Sequence, residues 1–294
     1  MTRFVRLLCL IVPVLCACNT TGDPASSDLS DAAPSYTGTF PRPLSDTPPA
    51  DKEEADARVH TQVGQEYFFS FGHTDAALDA AKAALKKKPG YPPAYHLMGL
   101  IYMELKQNAL ADDSFRQALS AAPGDPDFNN SYGWFLCSQG KLSEALSRFA
   151  TAVANPYYHY KTRPYINAGL CLLENGAVDR AESQFARALE VAPSNGEALY
   201  RLSEVAYRRG NYRRAHDILI QYHQRFDPSA RSVWLGLLAA RRLGERHAEA
   251  SYTEQLRGRF SDSRENVLMM QGKYGLPRQT GNGPDAGKPK APSK

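Results

Sequence analysis

The residues of this chain that could take part in chemistry are seven histidines, five cysteines and 31 acidic residues. The histidines show no metal-ligand spacing, and His216 and His223 lie two helical turns apart, too far to share one ion without a bend. The sequence has no His-Glu-x-x-His, Cys-x-x-Cys, phosphate-binding glycine loop or Gly-x-Ser-x-Gly. We therefore expect no enzyme activity and no metal, cofactor or small-molecule substrate.

The cysteines near the N-terminus indicate lipid attachment instead. Arg3 and Arg6 precede a short apolar run that ends in Leu15-Cys16-Ala17-Cys18. A cationic start, an apolar middle and a small residue before the cleavage point are typical of a signal peptide, and the last four residues resemble a bacterial lipobox. We predict a lipoprotein signal peptide at 1–17 and an acylated Cys18, with secretion as a free thiol as the alternative. Asn19 after the cysteine favours an outer-membrane anchor that faces the periplasm.

The overall composition suits a globular protein that does not bind nucleic acid. Hydrophobic residues make up 43% of the chain, and the formal net charge is only +4. Acidic and basic residues interleave along the chain, whereas a nucleic-acid-binding protein usually concentrates basic residues on one face. No apolar run reaches the roughly 18 residues that a spanning helix needs.

A period of 34 residues organises the middle of the chain. Two sets of residues recur at this spacing: Gln65, Gly99 and Gly133, and then Gly176, Gly210 and Gly244. This is the period of the tetratricopeptide repeat (TPR), which has two antiparallel helices per unit. We predict an all-α fold, a TPR solenoid that forms a right-handed superhelix of about six helix-turn-helix repeats. Ala81 in place of an aromatic residue, and a slip of about one residue near Trp234, mark atypical first and last repeats.

The domain boundaries follow from these patterns. The array spans 58–262, with repeats at about 58–91, 92–125, 126–161, 162–195, 196–229 and 230–262. Segment 18–57 holds the acylated N-terminus and a Pro/Ser-rich tether that is too polar to fold on its own. Segment 263–294 should end in a disordered tail rich in Lys and Pro.

Two cysteines remain within the repeats. Cys9 and Cys16 leave with the signal peptide, so Cys137 and Cys171 are left on the first helices of repeats three and four. These helices should stack side by side, and the periplasm is oxidising. We predict a Cys137–Cys171 disulfide, with two buried free thiols as the alternative.

Two surfaces could bind a partner protein. In a TPR superhelix a fixed set of positions lines the concave face, and here they hold Leu100, Met103, Asn130, Trp134, Ile166, Leu170, Leu173, Tyr200 and Tyr207. A mainly apolar stripe in a groove predicts docking of a helix or strand, although the same side chains could pack between repeats. Two inserted residues around 155–164 also place Tyr157, Tyr158 and Tyr160 on a wider turn, where they could contact a partner or simply pack the turn.

Several segments resemble one known family. Asp127-Phe128-Asn129-Asn130-Ser131-Tyr132-Gly133-Trp134-Phe135-Leu136-Cys137 is similar to the third repeat of the type IV pilus biogenesis/stability lipoproteins, the PilF/PilW pilotin family. Asn155-Pro156-Tyr157-Tyr158 and Asn167-Ala168-Gly169-Leu170-Cys171 are similar to the same family. The resemblance covers roughly 55–265 and includes the lipobox and the number of repeats, whereas the long Pro-rich tether and the Lys/Pro tail depart from it.

The resemblance implies a function. Members of this family are non-catalytic outer-membrane lipoproteins that bind the pilus secretin subunit, bring it to the outer membrane and promote its multimerisation. It implies that Cys18 is the anchor and that the repeats hold the secretin, and we expect the protein to be monomeric by itself. The same fold and anchor would suit a TPR scaffold of another envelope machine, such as outer-membrane barrel assembly or peptidoglycan synthesis, and this alternative stays open.

Overall fold

Thirteen α-helices and no strands make up the part of the chain that the computed structural model describes, residues 48–276. The helices are α1 (Lys52–Phe69), α2 (Thr74–Lys87), α3 (Pro92–Glu104), α4 (Asn108–Ala121), α5 (Pro126–Ser138), α6 (Leu142–Ala154), α7 (Thr162–Glu174), α8 (Val178–Val191), α9 (Gly196–Arg208), α10 (Tyr212–Arg225), α11 (Ala230–Leu243), α12 (Arg246–Arg259) and α13 (Arg264–Met270). The predicted signal peptide, Cys18, most of the predicted tether and residues 277–294 lie outside the described residues.

The first twelve helices pack as six consecutive hairpins. Each even-numbered helix also packs against the next odd-numbered one, and direct contacts join α1 to α3, α3 to α5, α5 to α7 and α9 to α11. No two successive even-numbered helices pack to a comparable extent within residues 48–276. The odd-numbered helices therefore form the more closely spaced layer, which we call the inner layer. The all-α TPR solenoid predicted from the 34-residue period is confirmed.

Four of the six described repeats close by pairing a glycine with an aromatic ring. A glycine on the odd-numbered helix faces an aromatic ring sixteen positions later: Gly99 with Phe115, Gly133 with Phe149, Gly169 with Phe185, and Gly236 with Tyr252. A methyl group added at Gly169 would lie only 2.4 Å from the Phe185 ring, which is fully buried. No side chain larger than hydrogen fits at these positions, because the two helices of the hairpin pack so closely that the ring already touches the glycine.

The first helix is longer than the sequence analysis predicted. Asp51 caps it by accepting a hydrogen bond from the Glu54 backbone N–H at 2.6 Å, and Glu53 and Glu54 lie in the first turn, where the helix dipole favours negative charge. Residues 52–57, which were expected in the tether, are therefore helical. In repeat one Gly64 rather than Gln65 lies closest to α2, since Ala81 leaves room that an aromatic ring fills elsewhere.

The connectors between repeats differ in length at one place. Connectors of four residues join α2 to α3, α4 to α5, α8 to α9 and α10 to α11. The connector from α6 to α7 spans residues 155–161 and has seven. The additional length lies within the region where the sequence predicted an insertion.

The turn inside each hairpin contains one residue in the left-handed region of φ. In five of the hairpins it is a glycine, such as Gly140 with φ 73°, but between α3 and α4 it is Lys106 with φ 59°. Across this turn the Gln107 backbone N–H donates to the Tyr102 carbonyl oxygen at 2.9 Å, which closes the helix end as a Schellman motif. A side chain in this conformation costs about 1 kcal/mol, so repeat two keeps the common turn at an energetic disadvantage.

The C-terminal end of the described chain packs back on the last repeat. Helix α13 contacts α11 and α12, with Met269 buried, and residues 271–276 follow without regular secondary structure. The predicted disordered tail lies mostly outside the described residues, and the described part of this segment packs against the solenoid. Across residues 48–276 we find no helix with the length and apolar character needed to cross a membrane.

Candidate functional site

Polar pairs hold the inner layer in register. The His96 ring on α3 lies 2.8 Å from the Ser131 hydroxyl on α5, measured from Nε2 to Oγ. At the preceding residue of α5, the Asn167 side-chain amide on α7 donates to the Asn130 side-chain oxygen at 3.0 Å. These groups are buried or partly buried, so each would lose free energy without its partner. The pairs therefore fix how three successive inner helices align.

The predicted concave-face residues do lie on the inner layer, but most of them are buried. Seven are buried and two are only partly so; the buried ones are Leu100, Asn130, Trp134, Ile166, Leu170, Leu173 and Tyr200, and the partly buried ones are Met103 and Tyr207. One cluster contains Leu100, Trp134, Ile166 and Leu170, with Met103 packed against it. Tyr200 belongs to another cluster, with Leu219 and Leu235, and Tyr207 packs against that cluster. The predicted apolar concave-face residues on α3, α5 and α7 therefore share one cluster, whereas those on α9 lie outside it.

A disulfide links the same inner helices. Cys137 on α5 and Cys171 on α7 are bonded in the structure, with their Cα atoms 5.9 Å apart. Both side chains are buried, and the bond closes a loop with a sequence separation of 34. Together with the asparagine pair it connects repeats three and four at two levels along α5.

Glu174, the last residue of α7, has an unusual environment that the sequence analysis did not recognise. Burial raises the pKa of its carboxyl group to about 7, while the positive charge of Arg201 acts in the opposite direction. Its Oε2 atom lies 3.7 Å from the Cys137 sulfur. The only sequence signal was a single acid at the end of an otherwise apolar row. It is one titratable group without a nucleophile or metal beside it, and residues 48–276 hold no group of His, Cys, Asp and Glu that could bind a metal.

A buried charge network lies on α9. The Arg201 guanidinium donates to Glu204 at 2.9 Å and to Glu197 at 2.8 Å, and Arg208 donates to Glu204 at 2.7 Å. Arg201 and Glu204 are 5% and 4% exposed, so their charges must be satisfied by each other. Burial alone would raise the pKa of Glu204, but Arg201 and Arg208 together lower it below its ordinary value. The network gives the inner layer a polar stretch between the apolar clusters.

The three tyrosines of the long α6–α7 connector differ in their burial. Tyr158 is buried, and its hydroxyl donates to the Asp127 carboxylate at 2.8 Å, which ties the connector to α5. Tyr157 is 85% exposed, and the exposed Tyr160 ring lies beneath the Arg163 guanidinium at 4.2 Å. The turn is thus packed by one tyrosine and presents the other two to solvent.

Comparison with known proteins identifies the relatives of this solenoid. Residues 92–125 and 172–240 match the tetratricopeptide repeat family. The type IV pilus assembly protein PilF of Pseudomonas aeruginosa is 26% identical over 216 residues, which is 73% of this chain and 85% of PilF. A solved structure of P. aeruginosa PilF has a TM-score of 0.66 at 24% identity, over 76% of this chain and all of that one.

The crystal structure of PilW, a widely conserved type IV pilus biogenesis factor, has a TM-score of 0.67. PilW is 30% identical to this chain, and the match covers 73% of this chain and 98% of PilW. Since the likeness takes in nearly the whole of PilW and the same TPR architecture, the chain belongs to the family of type IV pilus biogenesis TPR proteins that includes PilF and PilW.

Proposed function

We propose that this protein is a non-catalytic, outer-membrane lipoprotein that binds the type IV pilus secretin and promotes its localisation and multimerisation. The observation that carries the proposal is the match to PilW, which covers 73% of this chain and 98% of PilW. The lipobox ending at Cys18 supports the anchor, and the absence of any catalytic motif in the sequence supports a binding role.

The inner layer supports binding of a protein rather than of a small molecule. Its apolar row runs over α3, α5 and α7 and is interrupted by amide and carboxylate groups. Most of this row already packs between repeats, so a client segment would contact its partly buried members, such as Met103, and be aligned by a few hydrogen bonds. The exposed Tyr157 and Tyr160 on the α6–α7 connector offer a second contact at the edge of the same repeats.

Gene deletion with complementation tests the anchor and the client together. The Cys18→Ser protein should lose its membrane attachment, and secretin multimers on mild-detergent gels and twitching motility should fall with it. Normal secretin multimers in the deletion strain would refute the secretin role. Pull-down of barrel-assembly or wall-synthesis proteins in place of the secretin would assign the solenoid to another envelope machine.

A matched pair of variants tests the inner layer itself. Met103 on α3 is partly buried in the inner row, and Ile220 on α10 is an apolar residue of the other layer that is 41% exposed. Met103→Asp should weaken secretin capture at least ten-fold, whereas Ile220→Asp should leave it unchanged. Circular dichroism of both proteins controls for folding, and equal capture by the two variants would contradict binding through the inner layer.

A further inference from the structure

The described chain ends in a short segment that lies on the inner layer of the last two repeats. We call Lys273–Leu276 the C-terminal strap. Helix α13 ends at Met270, and Gly272 then adopts a left-handed φ of 69°. The Lys273 backbone N–H donates to the Leu268 carbonyl oxygen at 2.9 Å, which closes the helix and directs the strap across α11.

Three kinds of contact hold the strap. The Tyr274 ring stacks on Trp234 with centroids 5.9 Å apart and planes 16° from parallel, and the Arg241 guanidinium lies 3.9 Å from its centroid. The Trp234 indole N–H donates to the Gly275 carbonyl oxygen at 3.3 Å. Leu276 packs against the clusters around Trp234 and Tyr200. The solenoid therefore contacts three groups of the strap: the aromatic ring of Tyr274, the backbone carbonyl of Gly275 and the aliphatic side chain of Leu276.

These contacts define what the surface recognises. The surface offers an indole that stacks on one aromatic ring, a guanidinium that lies over that same ring, and an apolar contact for the residue two positions later. These groups fit an extended peptide with an aromatic residue followed two positions later by an aliphatic one. The surface lies on α9 and α11, in the layer where TPR solenoids bind clients, and not on the side chains of α3, α5 and α7 considered above. Trp234 is only 2% exposed and Tyr274 is 37% exposed, so the receptor side is covered while the strap itself borders solvent.

The contacts that hold the strap are individually weak. Its contacts to α9 and α11 include a hydrogen bond of 3.3 Å, a ring stack and one aliphatic side chain. Holding backbone residues in one conformation costs entropy at each of them, which such contacts only modestly exceed. A competing peptide of the same pattern can therefore displace the strap.

We propose that the α9–α11 surface is a binding site for extended peptides with an aromatic-x-aliphatic pattern, and that the protein's own strap occupies it in the absence of a partner. The inference does not depend on the role in pilus biogenesis. It assigns Trp234 and Arg241 to recognition of the aromatic residue and the cluster around Tyr200 to recognition of the aliphatic one.

Tryptophan fluorescence of the purified full-length protein tests the proposal. The chain has two tryptophans, so Trp134→Phe leaves Trp234 as the sole reporter. In this background Tyr274→Ala with Leu276→Ala should expose the indole and shift its emission to the red. The control, Val267→Ala with Met270→Ala, changes two exposed residues of α13 and should leave the emission unchanged.

Peptide addition completes the experiment. A synthetic peptide with the sequence of residues 270–280 should reverse the red shift saturably, and should bind the strap variant at least ten-fold more tightly than the protein with an intact strap. The same peptide with Ala in place of its Tyr and Leu should not bind. An unchanged emission in the strap variant, equal affinity for both proteins, or binding of the Ala peptide would each overturn the proposal. If the strap variant is unfolded by circular dichroism, Tyr274→Ala alone replaces it, with the same peptide and the same outcomes.

Discussion

The contact between Gly169 on α7 and Phe185 on α8 can be tested by copying repeat five into repeat four. At the equivalent positions repeat five has Ser203 and Leu219, both fully buried. A Cβ at Gly169 would lie 2.4, 2.7 and 2.8 Å from three atoms of the Phe185 ring, where ordinary carbon contacts are about 3.5–4.0 Å. We expect Gly169→Ser alone to destabilise the protein and Phe185→Leu in the same chain to restore most of the loss.

The magnitude follows from two opposing effects. Forcing three ring atoms apart in a closed contact costs about 1–3 kcal/mol, and the upper part of that range applies because Phe185 has no exposed surface to move into. Replacing a mid-helix glycine returns about 0.5 kcal/mol, so Gly169→Ser should lower the free energy of unfolding by about 2 kcal/mol. The new hydroxyl can donate within its helix, as Ser203 does to the Tyr200 carbonyl oxygen at 2.6 Å. Phe185→Leu alone leaves a small cavity and should cost about 1–2 kcal/mol.

Urea unfolding followed by circular dichroism measures all four members of this cycle. The double variant should be at least 1 kcal/mol more stable than the sum of the single losses predicts. Gly124→Ser is the control, since nothing lies within 4 Å of a Cβ there and its φ is not left-handed, and it should change stability by less than about 0.5 kcal/mol. If the losses of unfolding free energy at Gly169 and Phe185 simply add, the two positions do not depend on each other's size, and the proposed packing of the hairpin would be refuted.

Further predictions concern single positions. Lys106→Gly should stabilise the protein by about 0.5–1 kcal/mol in urea unfolding, and Gly140→Ala should destabilise it by about as much, because both sit in left-handed turns; no gain from the first would contradict the strain at Lys106. Burial raises the pKa of Glu174 from 4.5 to about 7, so its folded form holds a proton that the unfolded form releases, and stability should fall as the pH rises from about 5 to 8. Glu174→Gln should flatten that part of the pH profile, and an unchanged slope would rule out Glu174 as its source. Cys137→Ser should cost about 3–4 kcal/mol under oxidising conditions and nothing in excess reductant, judged from a loop separation of 34. Arg201→Ala should cost about 3–5 kcal/mol because it leaves the buried Glu204 short of a partner, and a loss below 1 kcal/mol would show that Arg208 satisfies this carboxylate alone.

The fold could be predicted because its determinants are local and recur. In repeats two to six a small residue at a fixed place in one helix is followed by a large one in the next, with a turn between them, so the pattern of one repeat helps to identify the others. The sequence also located the insertion before α7, since it displaces Gly169 from the period. The start of α1 was missed because Asp51 as a helix cap is one polar residue in a polar segment.

The burial and pairing of the inner-layer side chains could not be predicted in the same way. Position within a TPR places Leu170 and Asn130 on the concave side, but their exposure depends on how closely neighbouring helices and segments approach, which no local pattern encodes. The pairing of Asn130 with Asn167 and of Arg201 with Glu204 likewise depends on side-chain geometry. The strap was missed because Tyr274 and Leu276 lie among linker-like residues, and their contacts with Trp234 and Tyr200 join positions far apart in the chain.

The two spacings of the array explain where insertions can occur. The glycine and the aromatic ring that close a hairpin stay sixteen residues apart, whereas Gly133 and Gly169 are 36 apart and Gly169 and Gly236 are 67 apart, one less than two periods. One extra residue within a helix would rotate the following side chains by about 100° and turn the ring away from its glycine. A connector between repeats can take up extra residues without rotating either helix. The two added residues before Gly169 accordingly lie by the α6–α7 connector, and this connector, which carries the exposed Tyr157, is where this solenoid can gain a new contact without altering its core.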